Sequence, residues 1–148
     1  MSTNPNTTTV FTPEQIVQAA KGNVLGLCLV AVAYAKAHAL SPADYWAYVG
    51  KQFAAGWKRR QSAQEVAQGV ALNMVTAGCE LRSLSGEETQ ATAVLGGWPS
   101  EQRYGLTQAD ADIVWGIFGP IAESQGYSYA WRRQGEEIIA TVSQRSNA

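Results

Sequence analysis

The stretch "CELRSLSGEETQATAVLG", residues 79–96, decides the fold. Cys79 and Leu81 alternate with Glu80 and Arg82, the period of a strand. "SGEE" follows as a polar turn containing Gly86, and "TQATAVLG" returns as a second strand. The stretch therefore reads as a β-hairpin. A second hairpin lies near the end of the chain: "YSYAW", a turn through "RRQGEE", then "IIATVS". Strict alternation puts Tyr127, Tyr129 and Trp131 on one face.

Upstream of the first hairpin the pattern is helical. Thr12 suits an N-cap, Pro13 the first helical position, and Gln15 completes a capping box. This helix is expected to run to about Ala39. It contains "VLGLCLVAVAYA", residues 24–35, an apolar run that predicts burial on most sides. Gly22 and Gly26 share one face and predict close packing of another backbone within the chain. "SPAD", residues 41–44, starts a second helix expected to reach about Arg60. Tyr45, Val49, Phe53 and Trp57 fall at four-residue steps, flanked by Trp46 and Gly50, and predict its core stripe. "SAQE", residues 62–65, opens a third helix through about Ala77, although residues 66–78 also suit the start of a long strand.

Between the hairpins, "GWPSEQRYG" reads as a loop. Thr107 then caps a fourth helix, with Asp110 and Asp112 at its positive end. That helix is expected to end at Gly126 and to kink at Pro120. Helices and antiparallel strands segregate along the chain, which means α+β. The simplest arrangement is one four-stranded antiparallel sheet covered by helices on one face. With 148 residues, one domain is expected. It spans residues 12–144, between a flexible N-terminal tail (1–11) and a short C-terminal tail (145–148).

Composition narrows the chemistry. The net charge of −1 argues against nucleic acid as a partner. The apolar run at 24–35 is shorter than the about 20 residues that cross a bilayer, so no membrane partner is expected. A soluble, cytoplasmic protein with reduced, buried Cys28 and Cys79 fits this reading. One histidine and two isolated cysteines cannot make a four-ligand zinc site, so no metal or cofactor is expected. No nucleophile elbow, phosphate loop or dinucleotide fingerprint occurs. His38 sits at a helix end, where a cation suits the dipole. Glu87–Glu88 and Glu136–Glu137 fall at the hairpin turns, as solvated charge. Lys58, Arg59 and Arg60 end a helix, with anion contact as the functional alternative.

Aromatic placement is the strongest functional pointer. Trp98 and Tyr104 sit on a loop with Arg103 beside them, and binding groups concentrate on loops. Arg82, if its strand face is covered, would offer a carboxylate a bidentate fork. Trp46 and Tyr48 would join them if the second helix crosses the sheet nearby. The candidate ligand site is therefore Trp46, Tyr48, Arg82, Trp98, Arg103 and Tyr104, around a small apolar or aromatic molecule. Two alternatives accompany this binder, which would serve as a sensor or carrier. One is a small hydrolase or isomerase using Glu, Tyr or Arg. The other is a homodimeric interaction protein, built on the apolar first helix.

Overall fold

A computed structural model describes residues 10–99 and 102–146. Most of the expected N-terminal tail and the end of the C-terminal tail lie outside them, as do two residues of the 97–105 loop. Three helices come first: α1 (Pro13–Ala37), α2 (Pro42–Ala54) and α3 (Ala63–Thr76). The hairpin β1 (Glu80–Gly86) and β2 (Gln90–Gly96) follows. Next come α4 (Gln108–Asp112), a 3-10 turn (Ile113–Ile117) and α5 (Phe118–Ser124). The hairpin β3 (Tyr127–Gln134) and β4 (Glu137–Gln144) completes the order. The class is α+β. All four strands form one antiparallel sheet in the order β1-β2-β4-β3, so each hairpin contributes one edge and one central strand.

Local chemistry explains most boundaries. Thr12 and Thr107 each make a complete capping box, with Gln15 and Asp110. Ser41 and Ser62 accept the backbone N–H of Asp44 and Glu65. Glu65 reaches past its cap to accept the Gln61 N–H at 2.6 Å, so the third box is displaced by one residue. Residues 66–76 are helical, and Gly78 follows in the left-handed conformation (φ +97°) that ends a helix. Gly86 (φ +133°) is obligatory at the β1–β2 turn, because a Cβ there would collide with the Ala91 backbone.

The central strands turn Ala91, Ala93 and Leu95, with Ile138, Ala140 and Val142, into the core. Ala93 stands opposite Ala140 in the register. These small side chains leave room for α3, which packs on β1, β2 and β4 through Ala67, Val70 and Met74. The α5 helix covers β3, and α2 lies over the 3-10 turn and α5. The α1 helix is outermost, touching α2 and α3 sparingly.

Five expectations need correction. The α2 helix stops at Ala54, not near Arg60, and the chain turns through Gly56, a poor helix former. Its inward line is Trp46 and Gly50, while Tyr45 and Phe53 are exposed. Gly50 sets that rotation, since any Cβ there would collide with the Ile117 carbonyl. The long fourth helix is broken into α4, the 3-10 turn and α5. Pro120 has no N–H to donate, and its ring crowds the carbonyl of Gly116 four residues back, which favours the tighter turn. Among the described residues, no other backbone approaches Gly22 or Gly26, and the Tyr104 hydroxyl is what comes near Gly26.

The largest correction concerns α1. Its buried residues are Leu29, Val32 and Ala35. Only 11% of its apolar 18-residue window is buried, and the 25-residue helix is long and apolar enough to cross a membrane. The length argument against a membrane therefore fails, because the apolar segment extends well beyond residues 24–35.

Candidate functional site

The helices leave an apolar groove of about 440 Å³ between α1, α2, α3 and the 3-10/α5 segment. Its buried lining is core itself: Trp46, Met74, Ala77, Val114, Ile117 and Phe118. Leu27, Tyr45 and Phe53 are exposed on its lining, whose polar groups among the described residues include the Asn73 amide and the Thr76 and Tyr45 hydroxyls. The stripe expected to be core on α2, namely Tyr45, Val49 and Phe53 with Trp57 beyond the helix, thus lines the groove. Trp57 reaches it from beyond α2 because its ring packs against Phe118, with centroids 6.1 Å apart.

Among the buried residues described in this lining, Trp46 is the one that carries a polar group. It is 6% exposed, and its indole N–H is buried with no hydrogen-bond acceptor among the described residues. A buried donor without an acceptor costs about 1–3 kcal/mol. Gly50 one turn on holds α2 so close to Ile117 that Trp46 is forced inward.

Among the described residues, the six candidates do not converge on the groove. Trp46 alone among them lines the groove. Trp98, 2% exposed, fills the core: its Nε1–H donates to the Ala111 carbonyl at 3.1 Å, and its ring meets Trp115 edge-on. Arg82 is solvent-facing on edge strand β1, pairs with exposed Glu80 at 3.3 Å, and rests over Gly96. The strand is bulged between Leu81 and Ser83, which leaves Arg82 out of the ladder. Tyr48 is exposed on α2. Arg103 and Tyr104 are exposed, with the Tyr104 hydroxyl facing α1 at Gly26.

Comparison with protein-family models, with curated proteins and with solved structures finds no match. The site is therefore read from its own chemistry. Both thiols are poor nucleophiles: burial pushes Cys28 up to about 11 and Cys79 up to about 12. Burial also raises Tyr129, whose hydroxyl donates to the Trp115 carbonyl at 2.9 Å and so is structural. His38 stacks on Tyr34 at the exposed end of α1. Among the described residues, no three His, Cys, Asp or Glu gather as metal ligands.

Two charge pairs escaped the sequence reading. Arg133 grips Asp112 with two bonds of 2.6 and 2.7 Å, and both side chains are largely buried. This bidentate pair joins β3 to the end of α4. Lys36 reaches Asp110 at 2.6 Å, tying the end of α1 to the start of α4 and holding Asp110 below its usual range. In both cases the partners are far apart in sequence, and no local pattern pairs them. The groove itself had one legible signal. Val17, Ala20, Val24, Leu27, Ala31 and Tyr34 recur at alternating three- and four-residue steps, an a/d seam. That seam is outward-facing, with Leu27 74% exposed, and its Val24, Leu27 and Ala31 line the groove.

Proposed function

We propose that this protein binds a small, largely apolar molecule carrying one hydrogen-bond acceptor in the groove between α1, α2 and α3. The observation that carries the proposal is Trp46, which lines a mostly apolar groove and whose buried N–H has no acceptor among the described residues. Such a groove excludes charged molecules by desolvation and rewards apolar ones by area. The acceptor, a ketone or ether oxygen, would satisfy the indole and fix orientation. Aromatic rims at Tyr45, Phe53 and Trp57 suit a flat ligand body.

The test is tryptophan fluorescence during titration with acetophenone and with its hydrocarbon counterpart, ethylbenzene. Acetophenone should quench and raise Tm. Trp46→Phe should weaken acetophenone by roughly three- to tenfold, the net contribution of one hydrogen bond, and leave ethylbenzene nearly unchanged. Ala31→Phe, which fills the groove, should abolish both responses with the fold intact. Quenching that survives Ala31→Phe would sink the assignment.

The a/d seam favours a second reading, a homodimer through α1. Its six positions are the repeat that packs one helix against another. In this reading a second copy covers both seam and groove. Leu27→Glu should then convert a dimer into a monomer in light-scattering chromatography. A wild-type protein that is monomeric throughout, or that floats with lipid vesicles, contradicts it.

A further inference from the structure

A second cleft, of about 740 Å³, lies outside the apolar groove, at the corner where the α2–α3 connection meets the end of β4. Arg59, Arg60 and Arg145 line it, and no carboxylate side chain does among the described residues. None of the three forms an ion pair among the described residues. The clustering is built by specific hydrogen bonds. Gln125 accepts the Arg60 N–H at 3.0 Å and donates to the Lys58 carbonyl at 3.4 Å, which clamps the basic segment to the end of α5. Next to it, the Arg145 N–H donates to the Gly126 carbonyl at 3.1 Å. Residues 85 apart or more in the chain are thus brought together by neighbouring positions, 125 and 126. Arg60 is braced by Trp57, 5.9 Å from the ring centroid, and its buried Nε has no acceptor among the described residues. Glu65, a carboxylate tied to this loop, is engaged by the Gln61 N–H.

We propose that this cleft binds the phosphate of a phosphate ester, through Arg59, Arg60 and Arg145. Three guanidinium groups repel one another unless an anion sits between them. A carboxylate satisfies one guanidinium fork well, whereas a phosphate offers three terminal oxygens in different directions. The cleft is far roomier than a phosphate ion needs, so an organic body would accompany the charge, with the buried Tyr127 among the lining residues. A soluble phosphate ester and a lipid headgroup share this chemistry.

Amide NMR titration of the full chain distinguishes them, using phenyl phosphate, benzoate and phosphatidic acid vesicles at constant ionic strength. Phenyl phosphate should perturb residues 60–61, 125–127 and 144–145 and raise Tm, and benzoate should bind at least several-fold more weakly. Arg145→Ala and Arg59→Ala, both exposed, should each weaken phenyl phosphate about tenfold or more, the loss of a charged hydrogen bond. Binding confined to vesicles, with the same arginine dependence, supports the phosphate site and identifies a lipid as its source. No perturbation by either phosphate form overturns the proposal. So does binding that is unchanged in both variants, or benzoate binding as tightly as phenyl phosphate.

Discussion

At the residue scale, two side chains carry more consequence than their positions in the sequence suggest. Asp112 neutralises Arg133 in the interior, so its removal would strand a buried cation. Asp112→Ala should cost about 3–5 kcal/mol in urea unfolding, whereas replacing both partners with apolar residues should cost far less. A double variant as unstable as the single one would contradict this account. The other is Asp110, whose carboxyl is lowered chiefly by its hydrogen bond from Lys36, with Thr107 adding a further bond. A depressed carboxyl stabilises the fold above its unfolded value, and that contribution fades as pH falls through the folded value. Lys36→Met should therefore be less stable than wild type at neutral pH, and the gap should close in acid. A gap independent of pH would show that Lys36 acts by packing alone. The thiols give a third outcome: with values near 11 and 12, native Cys28 and Cys79 should resist iodoacetamide at pH 8 and react once unfolded.

At the element scale, α2 shows what was legible in the sequence and what was not. Helix starts were readable because caps act over three residues, as Thr12–Gln15 and Thr107–Asp110 do. Both hairpins were readable because alternation and turn residues are local. The buried face of α2 was not, because it is set by the Ile117 carbonyl, which arrives from the 3-10 turn far along the chain. Spacing alone made Tyr45 and Phe53 equivalent to core residues, whereas Gly50 and Trp46 are the ones buried. Gly50→Ala should therefore destabilise by more than 1 kcal/mol, even though alanine is the better helix former by about that amount. A stabilised Gly50→Ala variant would mean that α2 does not seat on Ile117. The six candidate site residues scattered for a related reason: of the two on α2, Trp46 faces the groove and Tyr48 faces solvent, and a loop tryptophan, Trp98, was needed as core.

At the scale of the whole molecule, the sheet and its α3/α5 layer form a closed core, and α1 is only partly docked on it. That incomplete docking produces both the groove and the outward a/d seam. The spacing of the seam was legible but not what covers it, because an apolar helix reads alike whether its partner is the same chain, a ligand or another copy. The account is tested most directly by methyl NMR of the wild-type protein during acetophenone titration, at two protein concentrations. It predicts saturable shifts clustered at Ala31, Val49, Met74 and Ile117, the same at both concentrations. Shifts spread along the Val17–Tyr34 seam that depend on protein concentration alone, with the groove methyls unmoved by the ligand, would contradict it.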